Sequence, residues 1–318
     1  MKAGGVLRKI EYTVSEEFNG TPLYYFLREG VGVSTRIIQT LRHTPKSVFI
    51  NGSECRVIDK VETADEIEIF LPEKTEAPLL WETDLDVIYE DEDLLIINKP
   101  SGVSVHPTRN HPNGTLCNAV AAYLKKQGNE NFVARAVGRL DKVTSGVMVF
   151  AKNAFVASKL NGNLDKTYYA LAEGVLEGEG TVNAPIYRPD INKTIRAVGE
   201  QGDEAITNWK ALKSFNSKTL LEVKTVTGRT HQIRVHCAHI GHALVGDEMY
   251  GAKVTDNIKR AALHCYEVKI VHPITNEEKT FVAEIPEDFK KEMQSAKCKV
   301  QNAKCKTQSE GEASLRKV

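Results

Sequence analysis

The chain has 318 residues, of which 41% are apolar and 26% charged, with 42 Lys and Arg balancing 42 Asp and Glu. Those totals fit a globular protein of about two domains and exclude a fibrous or disordered chain. No apolar stretch approaches the ~20 residues of a membrane helix, and Met1 to Ile10 lacks the apolar core of a signal peptide, so the cytoplasm is the expected compartment.

Balanced totals announce no nucleic-acid partner, but the charge is segregated along the chain. Acidic residues crowd the stretch from Glu62 to Asp93 and end in Glu90-Asp91-Glu92-Asp93. Arg28, Arg36, Arg42 and Lys46 gather ahead of it, and Arg135, Arg139, Lys142, Arg229 and Arg234 lie beyond.

In chain order, Thr21-Pro22-Leu23 opens a helix through Arg28, with Pro at an early helical position. Ser34-Thr35 caps a second helix, with Ile37, Ile38 and Leu41 inward and Arg36, Gln39 and Arg42 outward. Val48-Phe49-Ile50 before Asn51-Gly52 reads as a strand entering a tight hairpin, closed by a strand at 67–71. This small unit occupies 1–75, followed by a charged, Pro-bounded linker at 76–84. A larger unit over 85–290 has strands at 86–90 and 94–97 and a helix at 115–126. Further strands are expected at 146–151, 166–173, 206–213, 219–226, 264–271 and 280–284, with helices at 154–160 and 230–240. So many strands with few helices between them argue for an α+β fold with a mixed, largely antiparallel sheet. Residues 291–318 are polar and Lys-rich and read as a basic, disordered tail.

Two segments carry chemistry. Arg139-Leu140-Asp141, then Thr144-Ser145-Gly146 and the apolar run Val147 to Phe150, set one carboxylate in a tight loop before a buried strand. Taken alone, the triplet is a solvated ion pair. Thr227 to His236 follows an apolar strand, with Thr230 as helix cap, Arg229 at the start of the helix and Arg234 one turn in. Two arginines there suit an anion or a carboxylate, although a first helical turn ordinarily favours acidic side chains. His231, His236, His239 and His242 cluster without a supporting acidic partner, and the six cysteines show no close ligand pairing, so no metal is expected.

In order and spacing these segments resemble the RNA pseudouridine synthases of the RluA family, over about Leu85 to Phe289. Asn98-Lys99-Pro100-Ser101-Gly102 with Val105-His106-Pro107 is similar to the family's opening motif, and Arg139 to Lys152 to its catalytic motif. Lys166, Tyr168 and Ala170 match the next strand; Gly228 to His236, Gly241-His242, Gly246-Asp247, Tyr250-Gly251, Leu263-His264 and His272-Pro273 match the closing motifs. Gly138 stands where the family usually has His or Asn, Ala243 for a usual Pro and Cys265 for a usual Ala. The leading unit is similar to the alpha-L RNA-binding motif, whose RNA-facing helix would carry Arg36 and Arg42.

The resemblance implies an isomerase that breaks the uracil N-glycosidic bond, turns the base and rejoins it through carbon, with no cofactor. Asp141 would be the carboxylate that reaches the ribose, with Arg234 against it and Arg229 as the second choice. Arg139 would fill the space left by the extruded base, Tyr168 would stack on that base, Ile233 would floor the pocket, and Gln232 and Arg229 would contact substrate. The implied partner is RNA, from the large ribosomal subunit or else transfer RNA, bound by a monomer. A non-catalytic RNA-binding factor in ribosome assembly is the other class of reading.

Overall fold

Two sheets carry the chain in the computed structural model, which describes residues 8–71, 79–109, 111–128, 133, 135–215 and 217–294. The first is built by β1 (Arg8–Thr13), β2 (Val48–Ile50), β3 (Ser53–Glu54) and β4 (Glu66–Leu71) in the order β1-β4-β2-β3. Asn51 and Gly52 both hold positive φ, 50° and 75°, the backbone a two-residue hairpin needs. Against this sheet lie a short helix, α1 (Leu23–Tyr25), which widens into a π turn at Phe26–Gly30, and α2 (Thr35–Arg42). Pro22 is the N-cap of α1, and the Ser34 hydroxyl accepts from the Ile37 N–H to cap α2. Ile37, Ile38 and Leu41 are buried, while Arg36 and Arg42 are exposed on the outer face.

The second sheet has ten strands. It takes β5 (Val87–Glu90), β6 (Leu94–Lys99), β7 (Arg135–Val137), β8 (Ser145–Ala151), β9 (Asp165–Glu173) and β10 (Glu179–Asn183). A small hairpin of β11 (Ile186–Tyr187) and β12 (Ala197–Val198) stands outside it. The sheet continues with β13 (Ile206–Phe215), β14 (Lys218–Thr225), β15 (Leu263–Val271) and β16 (Glu278–Val282). Its order is β10-β13-β14-β9-β15-β8-β6-β5, with β16 on β15 and β7 on β8. The helices are α3 (Leu116–Lys126), capped by Thr115; α4 (Ala154–Leu160), capped by Asn153; and α5 (Gln232–His239). The fold is α+β and its large sheet is mixed. Among the described residues only β15 with β8 is parallel, His264 opposite Ser145 and Cys265 opposite Gly146. That seam joins the two halves of the sheet, and the loop before β8 opens onto it.

The acidic run is used internally. Asp93 is buried and takes Arg8 of β1 in a two-pronged pair at 3.0 and 2.8 Å, with Asn153 Nδ2 at 2.7 Å. Glu90 holds Lys152 and Tyr123, and Asp91 accepts the Asp93 and Leu94 amides. The Lys159 ammonium also donates to the Val31 carbonyl, so both bonds tie the small sheet to the large one.

The tail boundary needs correction. Residues 287–294 are helical, because Phe289 is wholly buried and Arg260 lies over its ring at 5.6 Å. Glu292 is buried too and takes Lys218 and Thr255. The rest of the expected tail, with Cys298 and Cys305, lies outside the described residues, as do 76–78 of the linker. No helix among the described residues is long and apolar enough to cross a membrane.

Candidate active site

The loop at 138–144 is held from three sides. Gly138 has φ +72°, a left-handed conformation that Gly takes freely and that Asn and His tolerate better than other side chains. That property unites this glycine with the family's usual residues. Beyond it, the Thr144 N–H closes a turn onto the Asp141 carbonyl at 3.1 Å. The Lys142 carbonyl accepts the Gly102 N–H at 2.8 Å, and the Val143 carbonyl accepts Ser101 Oγ at 2.8 Å and Arg260 Nη1 at 3.3 Å. Lys99, wholly buried, donates to the carbonyls of Pro100 and Val103 at 2.9 and 2.8 Å and lies 3.4 Å from that of Lys142. Burial pushes its amine down to about 7, against the pull of the Asp141 charge.

Gly146 shows why the segment ends in glycine. At φ +114° its missing Cβ would lie 2.1 Å from the Cys265 carbonyl oxygen, so the parallel seam closes only over hydrogen.

Arg139, Leu140, Asp141, Thr144, Tyr168, Arg229, His231, Gln232, Ile233 and Leu263 line one open cleft with the 225–230 loop. Asp141 is half-buried at its mouth, and among the described residues no side-chain hydrogen bond or ion pair reaches its carboxylate. Arg139 is exposed, and its Nη1 donates to the Thr230 hydroxyl at 3.3 Å. Tyr168 projects from β9, where it pairs with Val223 and Cys265. It is buried, which raises its phenol well above the ordinary value and keeps it protonated. Tyr169 faces the other way and stacks on Tyr266 at 4.3 Å, as strand alternation requires. Ile233 and Leu140 are both buried and both line the cleft. The Thr144 hydroxyl is buried with no hydrogen-bond partner among the described residues.

Helix α5 starts differently from the sequence expectation. Its N-cap is His231, at φ 58°, ψ 17°, not Thr230. That left-handed backbone costs about 1–2 kcal/mol for a residue with a Cβ. No side chain caps α5, and Gln232 instead ties down the loop that leads into it. Its Oε1 accepts the Arg229 N–H at 2.9 Å and the Thr227 hydroxyl at 2.8 Å, while its Nε2 donates to Ile206 O and Thr207 Oγ1 at 2.9 and 3.0 Å. Both lone pairs and both protons are thereby committed, so Gln232 holds the 227–229 loop and has nothing left for a ligand. Arg229 lies at the cleft, with its Nε donating to the Glu204 carbonyl at 2.9 Å and its Nη1 3.5 Å from Asp203.

Arg234 is the main displacement from expectation. It is buried below the cleft lining, with Nε and Nη2 on Asp247 at 2.7 and 2.6 Å and its guanidinium 5.0 Å from the Tyr250 ring centroid. Burial opposes its charge, but the Asp247 pair outweighs burial and raises its pKa. Neither Arg234 nor Arg229 forms an ion pair with Asp141 among the described residues, although the Asp141 charge reaches Arg234 through space. The reason is local, since Asp247 offers two oxygens to the guanidinium in a buried site. Two further histidines are occupied as well: His236 on α5 by Thr207 and Ala184 O, and His242 beyond the helix by Glu173 O. Lys99, Asp247 and Tyr250 stood within the recognised motifs without a role, and Arg260 carried no local signal.

The model of the RNA pseudouridylate synthase family matches residues 93–239. The uncharacterized RNA pseudouridine synthase YlyB of Bacillus subtilis is 36% identical over 293 residues, 89% of this chain and 96% of its own. Ribosomal large subunit pseudouridine synthase D of Haemophilus influenzae is 37% identical over 303 residues, 89% of each chain. Among solved structures, human RNA pseudouridylate synthase domain containing 4 superposes with a TM-score of 0.52 at 25% identity, covering 64% of this chain and 89% of that one. Similarity to such relatives over 89% of the chain, together with the fold of a solved synthase, means that the chain belongs to the RNA pseudouridine synthases of the RluA family, isomerases that act on RNA.

Proposed function

We propose that the protein converts uridine to pseudouridine in large-subunit ribosomal RNA, as a monomer in the cytoplasm. The observation that carries the reading is the Asp141 carboxylate, uncommitted among the described residues, at the mouth of the cleft that also holds Tyr168. The large-subunit target rests on the similarity to the synthases D of Haemophilus influenzae and Escherichia coli.

In this reading the target base leaves the RNA stack and enters the cleft. Asp141 acts on the ribose as the bond between N1 and C1′ breaks. The freed uracil turns over Tyr168, whose ring holds its face, and C5 takes the place of N1 on C1′. The C5 proton is lost and N1 gains one, so the product is an isomer. Arg139, exposed at the rim, occupies the vacated place in the RNA. Ile233 and Leu140 give the base an apolar floor, and Arg229 contributes charge for the backbone. The small sheet, with Arg36 and Arg42 exposed on α2, adds phosphate contacts away from the cleft. An intact loop and cleft favour catalysis over the non-catalytic binding role.

Pseudouridine mapping of ribosomal and transfer RNA from cells with and without the gene tests the target. Loss of defined large-subunit positions, restored by wild type and not by Asp141→Asn, is the expected result. Loss confined to transfer RNA moves the target there, and an unchanged map sinks the proposal.

A further inference from the structure

A line of hydrogen bonds runs from the β11–β12 hairpin to the cleft. The Arg196 N–H donates to Tyr250 Oη at 3.0 Å, and Tyr250 Oη lies 2.9 Å from His231 Nδ1. With the tyrosine oxygen accepting from Arg196, the phenolic proton has Nδ1 as its acceptor. The opposite arrangement, with a proton on Nδ1, would leave the half-buried phenolic proton unmatched among the described residues, which is the costlier state. Nδ1 is therefore the acceptor, and the ring proton sits on Nε2.

That Nε2 has no hydrogen-bond partner among the described residues, and it is not among the buried unpartnered atoms. His231 is among the residues that line the cleft with Asp141 and Tyr168. His236 and His264 differ: their Nε2 atoms meet the Ala184 and Ala283 carbonyls at 2.9 and 3.1 Å inside the protein. Burial first, then the Arg234 and Arg196 cations, hold the His231 imidazole below its ordinary pKa against the pull of Asp141. A neutral ring can donate without capturing the catalytic carboxylate as a cation would. The backbone adds a second clue, because His231 holds a left-handed position that Gly would meet at lower cost.

We infer that His231, held in its Nε2–H tautomer by Tyr250, donates from Nε2 to a uracil carbonyl oxygen of the target nucleotide. This rests on the reading of the cleft as the uridine site. When the N1–C1′ bond breaks, its electron pair moves onto the uracil, and a fixed donor at a carbonyl oxygen stabilises that charge as it grows. Tyr250 is a positioning residue, acting only through His231.

Two substitutions separate donor from scaffold. His231→Gln puts an amide N–H near the place of Nε2, and His231→Asn puts it near Nδ1. Asn adopts the left-handed backbone more readily, so a structural role ranks Asn above Gln in both stability and rate. The inference expects the ranks to split. His231→Asn should be at least as stable as His231→Gln yet lose about a hundredfold in kcat, while His231→Gln stays within about tenfold of wild type. Nitrogen NMR of 15N-histidine protein should show His231 protonated on Nε2, with that preference lost in Tyr250→Phe. An active wild type in which His231→Asn matches or outruns His231→Gln, or a wild-type His231 protonated on Nδ1, overturns the inference alone. A wild type that isomerises no uridine in any RNA removes the reading of the cleft and the inference with it.

Discussion

Arg234 and Asp247 form a buried two-pronged ion pair, 2.7 and 2.6 Å, thirteen residues apart, directly behind the cleft that holds Asp141. The guanidinium supports the start of α5 and the Tyr250 ring, and it meets the Asp141 carboxylate only through the field. Breaking the pair from the acidic side leaves a buried cation without its partner. Asp247→Leu should destabilise the protein by about 3–5 kcal/mol, and adding Arg234→Met to it should recover much of that loss. Urea unfolding of the four proteins in the cycle measures it. Additive losses would mean that the pair does not act as a unit.

The parallel seam makes a sharper demand on Gly146. A methyl there would meet the Cys265 carbonyl at 2.1 Å, which backbone on both strands forbids. Gly146→Ala should destabilise by more than about 4 kcal/mol or fail to give folded protein. At Gly138 the nearest neighbour of an added Cβ is the flexible Lys166 amine at 3.1 Å, so Gly138→Ala should cost only about 1–2 kcal/mol and Gly138→Asn less. Thermal melts of the three variants give the order directly.

Lys99 makes stability depend on pH. In the folded chain its amine falls from the ordinary 10.5 to about 7, whereas in the unfolded chain it keeps its proton to the ordinary value. Between those limits the unfolded chain binds more protons, so stability rises with pH, by at most about 1.4 kcal/mol per unit. Below about 7 both states are protonated and this contribution to the slope vanishes. Urea midpoints at pH 7, 8 and 9 should rise relative to Lys99→Met. Parallel lines for the two proteins would show that Lys99 remains charged beneath the loop.

Arg139 is exposed and makes one long hydrogen bond, so its removal should leave stability within about 0.5 kcal/mol. Its loss should be felt where a base has to leave a stack. Arg139→Ala should lose about 1–3 kcal/mol of transition-state stabilisation on structured RNA and much less on a short unstructured oligonucleotide, whose base is already free. Comparing kcat/KM on the two substrates checks it, and equal losses on both would assign Arg139 to plain backbone binding.

Local chemistry was legible in the sequence and pairing at a distance was not. Ser34, Thr115 and Pro22 marked helix starts because a cap acts within one turn. The strands expected at 94–97 and 146–151 stood out as short apolar runs, and the structure buries both. β1 did not, because its alternation is short and polar and its partner β4 begins more than fifty residues on. Asp141 and Tyr168 were found through motifs a few residues long. Arg234 was assigned to Asp141 since nothing within the motif says which carboxylate a buried arginine meets. The left-handed backbone at His231 was equally hidden, as His is not a turn former and the strain is held by Gln232 and Tyr250 from both sides.

Tritium release from RNA carrying 5-tritiated uridine tests the central claim most directly, since isomerisation expels the C5 proton and simple binding does not. The wild-type protein should release tritium from large-subunit ribosomal RNA with no added metal or cofactor, and Asp141→Asn, equally folded, should release none above background. Equal release by both proteins, or silence from the wild type on ribosomal and transfer RNA alike, would contradict the account.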